Sequence, residues 1–176
     1  MQAVLSYFHK GPIVFDHLMV ADKRGSFIRA FRKEDSNNIL NIDFVEDNVS
    51  ISNLGVIRGI HRQVDKPLGK LVQVLSGKAF DVMVDLRPLS NSYGNYEYLY
   101  LVPGISVYIP PGFGHGFQAL EDNTIIHYKY TERYNPDGER HINPFDKQVN
   151  IEWPLENHIV SERDLALPFL SDMEKH

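Results

Sequence analysis

The chain has 176 residues, 43% hydrophobic and 23% charged, which fits one folded domain over 1–176 with a real core and excludes wholesale disorder. Cysteine is absent, which removes disulfide frameworks, thiol nucleophiles and thiolate metal sites. Lys and Arg number 18 against 23 Asp and Glu, a net charge of −5, so no nucleic-acid partner is expected and any anion must be met by a local cluster of cations.

The opening residues, MQAVLSYFHK, lack a basic stretch followed by an apolar one, and no apolar run approaches the roughly 18 residues of a membrane span. A cytoplasmic protein without a membrane partner is expected. From there the chain reads as short apolar segments divided by glycine. Strands are expected over 12–20, 26–33, 42–50, 56–63 and 70–76. Leu75-Ser76-Gly77-Lys78 reads as a tight hairpin turn into the next strand, since glycine takes positive φ cheaply. In Phe80–Leu86 the even positions are Phe, Val, Val and Leu and the odd ones Asp, Met and Asp, a period of two with one apolar and one partly polar face. Further strands are expected over 96–102, 105–109 and 124–131. In the last, Ile126, Tyr128 and Tyr130 share a face. Ser161 is placed to cap a short helix that Pro168 ends. Many short strands with frequent turns predict an all-β jelly-roll barrel or sandwich with a short helical segment near the C-terminus.

Two segments resemble the cupin superfamily. Gly104 followed by Pro110, Gly112 and His115 matches most of its second motif, and Gly55 with His61 matches the start of its first. A metal-binding cupin continues with a second His and a Glu. Here Gln63 stands where that His belongs, and no Glu occurs between 64 and 76. Two histidines are too few for a transition metal, so a cupin-like barrel without metal is expected.

More specific is a series of motifs in order. Asp22-Lys23-Arg24-Gly25-Ser26-Phe27, Gly55 to His61 and Gly69-Lys70-Leu71-Val72 begin it. Phe80 to Arg87, Ile109 to Phe117, Tyr134-Asn135-Pro136, Ile151 to Pro154 and Ser161 to Asp164 complete it. This series resembles the dTDP-4-dehydrorhamnose 3,5-epimerases. The resemblance implies a jelly-roll homodimer without cofactor that acts on a nucleotide-diphosphate 4-keto-6-deoxy sugar. It would invert C3 and/or C5 by taking a proton from one face and returning one to the other.

The residues can be set against the needs of that reaction. Removing a proton beside a ketone needs a base near working pH, and His61 matches the family's base. Asp164 matches the carboxylate that holds its far nitrogen. Lys70 matches the lysine that meets charge developing on the C4 oxygen. Tyr128 matches the proton donor of the opposite face. For the diphosphate, Arg24, Arg58 and Arg163 match cationic contacts. Phe27, Asn48, His115 and Glu139 match further ligand contacts, and Tyr134 matches a second tyrosine near the sugar or base. Arg58 and His61, three residues apart, need a bulge at Gly59 to share a pocket. Two positions depart from the pattern. Arg29 stands where a carboxylate is usual and Glu46 where Gln is usual, both among the residues that hold the nucleotide in the family, so an altered nucleotide base or sugar outcome is expected.

Other readings stay open on sequence. A single-centre epimerase or ketoisomerase on a dTDP-, CDP- or GDP-sugar would use the same residues. A non-catalytic sugar-nucleotide-binding barrel predicts loss of the base, acid or lysine, and all three are present. A metal-dependent cupin predicts ligands that are missing.

Overall fold

The computed structural model describes residues 2–5, 8–34 and 40–173. Two sheets face one another. One runs in the order β1 (Gln2–Leu5), β2 (Ile13–Asp16), β10 (Ile105–Ile109), β7 (Lys70–Ser76), β12 (Thr124–Tyr130) and β5 (Glu46–Ser52). The other runs β13 (Glu139–His141), β6 (Val56–Gln63), β11 (Phe113–Ala119), β8 (Ala79–Asp85) and β9 (Tyr96–Leu101), with β14 (Ile159–Val160) parallel to β6. The chain crosses between sheets repeatedly, as a jelly roll does. A separate ribbon, β3 (Met19–Asp22) with β4 (Gly25–Ile28), joins neither sheet. Helices α1 (Glu162–Leu165) and α2 (Leu170–Met173) are a single turn each. No described helix is long and apolar enough to cross a membrane.

Side-chain alternation explains the layers. Val72, Val74, Val107, Ile109 and Ile126 meet Met83, Leu101, Phe113 and Phe117 between the sheets. Even positions of β8, Phe80, Val82 and Val84, turn outward with Ile60 and Leu86. They are covered by Ile142, Val149 and Leu170 from the C-terminal segment. On the far side of the other sheet, Phe15, Leu71 and Tyr108 lie under Phe31, Ile42 and Phe44. Each such large side chain, once buried, contributes roughly 1.5–3 kcal/mol. Both faces of β8 are therefore buried, unlike the half-polar strand the alternation suggests. Its aspartates are accommodated by partners. Asp85 accepts from Arg87, Ser90 and Ser92, and Asp81 meets His115.

The turn at Ser76–Lys78 is a corner and not a hairpin, because β7 and β8 belong to different sheets. Gly77 (φ +82°) makes that corner against Thr124, whose Oγ1 would lie 2.6 Å from any Cβ there. The expected strand 12–20 breaks at His17, whose buried ring bonds Ser106 Oγ at 2.7 Å. That leaves β2 and β3 in different sheets. The strand expected over 26–33 ends at Ile28, and the one over 42–50 begins only at Glu46. β11 runs through the glycine-rich 113–119 stretch, which reads as punctuation in sequence, and is central in its sheet.

Candidate active site

A cavity of about 290 Å³ opens between the two sheets, lined by Arg58, His61, Lys70, His115, Phe117, Tyr128, Tyr130, Ser161, Arg163 and Asp164. A larger depression, about 710 Å³, lies beside Arg87, which is already committed to Asp85. Only the first gathers titratable groups of complementary kinds, and its two walls differ.

One wall is the β6–β11 pair. His115 and His61 are Cα partners, and Phe117 pairs with Arg58, so two residues on β11 span three on β6. That is the bulge the sequence requires. Gly59 (φ +128°) and Gly116 face each other there, and a Cβ on Gly116 would lie 2.8 Å from Arg58 O. The extra residue brings Arg58 and His61 onto the same cavity. The opposite wall is the β7–β12–β5 ladder. Tyr128 lies between Val72 and Asn48, and Tyr130 between Lys70 and Glu46. Cavity groups on this wall thus come in two rows.

His61 Nε2 is 2.8 Å from Asp164 Oδ1. Asp164 is 4% exposed and also receives the Gly59 N–H at 3.4 Å. It is delivered by α1, whose N-cap Ser161 Oγ accepts from the Asp164 N–H. Burial works to raise the Asp164 pKa, but His61, Gly59 and Arg163 pull it below the usual carboxylate value. A carboxylate only accepts, so Nε2 carries the proton and Nδ1 is the basic nitrogen. Burial pushes the His61 pKa down. The bond and charge of Asp164 oppose this, while Lys70 and His141 add to the fall. The imidazole is thus neutral and ready to accept near neutral pH.

Lys70 Nζ donates to His61 O at 3.3 Å and lies 5.9 Å from the Tyr130 ring centroid. Burial lowers its pKa to about 8, against the opposing pull of Glu139 and Asp81, so it is mostly charged at pH 7. The Tyr128 hydroxyl is 3.0 Å from Ser50 Oγ, and burial raises its pKa well above the ordinary phenol value. It is protonated at any working pH and fit to donate. His115 Nε2 bonds Asp81 Oδ2 at 2.8 Å, both residues buried, and Asp81 Oδ1 has no hydrogen-bond partner among the described residues.

At the rim, Glu139 Oε2 accepts from Tyr134 OH (2.9 Å) and Arg163 Nη2 (2.7 Å), and His141 Nε2 lies 3.3 Å away. Burial works to raise the Glu139 pKa, but these three partners bring it to about 2. Glu46 ties the rim together, accepting from Asn48 Nδ2 at 2.7 Å and from the Tyr134 N–H at 2.9 Å.

Of the residues singled out in sequence, His61, Lys70, Tyr128, Asp164, Arg58, His115 and Arg163 line one cavity, and Glu46, Asn48, Tyr134 and Glu139 border it. Arg24, Phe27 and Arg29 are not brought there within one chain. Arg24 is exposed on the ribbon turn and bound to Asp22 at 2.6 Å, Phe27 is 68% exposed, and Arg29 directly follows β4. Sequence reasoning gives no site role to Asp81, Phe117, Tyr130 or Ser161. Asp81 carries a signal, an acid at a core position of an apolar strand. Among the described residues no three His, Asp or Glu converge as a metal site. His61 and His115 each turn Nε2 to a carboxylate of their own.

Comparison with known proteins finds relatives that span most of the chain. The family model for dTDP-4-dehydrorhamnose 3,5-epimerase matches residues 9–172. An enzyme of that name from Methanothermobacter thermautotrophicus is 42% identical over 160 residues, covering 88% of this chain and 86% of the relative. The epimerase of Legionella pneumophila, solved in complex with dTDP-4-keto-L-rhamnose, superposes with TM-score 0.91 at 34% identity, covering 97% of this chain and 93% of that one. A 3'-monoepimerase from Streptomyces bikiniensis, solved with dTDP-quinovose, gives TM-score 0.90 at 28% identity, covering 97% and 88%. The chain belongs to the dTDP-4-dehydrorhamnose 3,5-epimerase family and is a deoxysugar epimerase built on a cupin-like jelly roll.

Proposed function

We propose that the substrate is a dTDP-linked 4-keto-6-deoxyhexose and that His61 and Tyr128 act on opposite faces of its ring. The observation that carries this is the division of the cavity. The Asp164-held imidazole projects from one sheet, and the phenol and ammonium project from the other. A flat enolate between the walls has one face to each. His61 Nδ1 takes the proton beside the ketone, and the C4 oxygen gains negative charge. Lys70 stabilises that charge, which in comparable oxyanion sites is worth about 3–4 kcal/mol. Tyr128 returns a proton from the opposite wall, and the carbon is inverted. The imidazolium and phenolate then exchange a proton through solvent, so no cofactor is consumed. Arg58 and Arg163 both line the cavity and are the cations assigned to the diphosphate. Arg163 leaves Glu139 to pair with it, exchanging one anion for another.

A homodimer completes the site. The β3–β4 ribbon exposes Met19, Val20 and Phe27, with Leu18 exposed just before it, and among the described residues β5 is a sheet edge with Val49 and Ile51 exposed. A lone two-stranded ribbon with that much bare apolar surface needs covering. Pairing two chains through it would bring Arg24, Phe27 and Arg29 to the neighbouring site. Light scattering should give twice 20.2 kDa; a monomer contradicts the dimer.

Incubation with dTDP-4-keto-6-deoxyglucose in D₂O tests the chemistry, since deuterium must enter beside the ketone. A wild-type protein that leaves both positions protonated refutes it. Calorimetric titration against dTDP, CDP, GDP and UDP reads the base. Glu46 is spent on Asn48 and Tyr134, so its departure from the family pattern serves the rim. We expect dTDP to bind tightest, and a preference for another nucleotide assigns the base contact to Arg29.

A further inference from the structure

Inverting two carbons needs a proton returned at each, whether from one donor or from two. C3 and C5 flank C4 on opposite sides. If the C4 oxygen lies against Lys70, the two carbons face different parts of the Tyr128 wall. A second phenol stands in that wall. Tyr130 projects from the same face of β12 as Tyr128, and the two ring centroids are 6.2 Å apart. Both rings line the cavity, and Lys70 is the cross-strand neighbour of Tyr130.

The surroundings of the two hydroxyls differ. Tyr128 bonds Ser50 and feels Asp81 and Arg58, whereas Tyr130 feels Glu139, Glu46 and Tyr134. The Lys70 ammonium, cross-strand from Tyr130, is coupled electrostatically to both Glu139 and Asp81. No described residue hydrogen-bonds the Tyr130 hydroxyl, and it is not among the buried atoms lacking a partner, so it is accessible on a residue that lines the cavity. Burial and the nearby carboxylates raise its pKa to about 12, so the hydroxyl keeps its proton until a stronger base takes it.

We propose that Tyr130 is a second proton donor, serving the carbon on the Glu139 side of Lys70 while Tyr128 serves the carbon on the Ser50 side. This rests on the epimerase reading above. In the step, the enolate C=C electron pair takes the proton of Tyr130 O–H, a C–H bond forms and the C4 ketone is restored. The phenolate left behind recovers through solvent the proton that His61 removed, so the inversion is balanced without any further reactant. The apolar ring has a second use, since it lies by the Lys70 ammonium at cation–π range. Phe at this position preserves that contact and removes only the proton.

The test is proton NMR of dTDP-4-keto-6-deoxyglucose in D₂O with the wild type, Tyr128→Phe and Tyr130→Phe. The wild type should exchange and invert both carbons. Tyr130→Phe should lose inversion at one carbon by about 10²-fold or more, the usual worth of a general acid, while deuterium still enters there and the other carbon inverts normally. Tyr128→Phe should show the converse. Equal inversion ratios in Tyr130→Phe and wild type overturn the proposal, as does an equal loss at both carbons. A wild type that inverts only one carbon overturns the second donor and leaves the epimerase reading intact; a wild type with no exchange removes that reading itself. A crystal structure of the wild type with the keto sugar supplies an independent readout. Tyr130 Oη should lie within about 3.5 Å of C3 or C5 on the face away from His61, and a hydroxyl turned from the sugar contradicts the assignment.

Discussion

Replacing Asp164 with asparagine tests the His61 dyad without changing its volume. Asp164 offers one oxygen to His61 Nε2 at 2.8 Å and the other to the Gly59 N–H at 3.4 Å. Asparagine has one oxygen and one NH₂. If the oxygen faces His61, the NH₂ meets the Gly59 N–H, donor against donor. If the amide flips, the NH₂ donates to Nε2 and forces the proton onto Nδ1, which removes the lone pair the reaction needs. Either arrangement loses the charge-assisted bond that stabilises the imidazolium, worth about 3 kcal/mol or roughly 10²-fold. The wrong tautomer extends this toward about 10⁴-fold. Because Asp164 holds the His61 pKa up against burial, Asp164→Asn should also move the acidic limb of kcat/KM to lower pH. The assay is the rate of deuterium entry from D₂O across a pH series. A rate within about threefold of wild type, or an acidic limb that moves to higher pH, refutes the dyad.

Two further outcomes follow from the same groups. Activity should fall at alkaline pH as Lys70, lowered to about 8 by burial, loses its proton; Lys70→Arg should move that limb upward, and an unmoved limb assigns it elsewhere. Glu139, lowered to about 2 from 4.5, stabilises the folded state above pH 4.5 and loses that contribution as pH falls toward 2. Glu139→Gln should therefore cost about 2 kcal/mol at pH 7 and progressively less in acid by denaturant titration. A difference constant with pH contradicts the ion-pair account.

Strands whose side chains alternate cleanly are legible to the residue. β6, β7 and β10 have the bounds that apolar periodicity predicts. β11 is hidden because Gly114 and Gly116 break its pattern, although their missing side chains let Ile60 and the β6 backbone pack close. The corner at Gly77 looks like a hairpin because local turn chemistry does not say which sheet comes next. His61 and Asp164 are 103 residues apart, and no local pattern connects them. Family motifs supply the pairing, and the bulge at Gly59 turns it into geometry. Tyr130 and Asp81 read as a core aromatic and a strand acid until the two walls are assembled.

The most direct measurement of the two-wall account compares His61→Ala with Tyr128→Phe on the keto sugar in D₂O, scoring deuterium entry and inversion separately. The account predicts no entry at either carbon in His61→Ala, and entry without inversion at one carbon or more in Tyr128→Phe. Substantial entry in His61→Ala, or full inversion of every carbon in Tyr128→Phe, contradicts it.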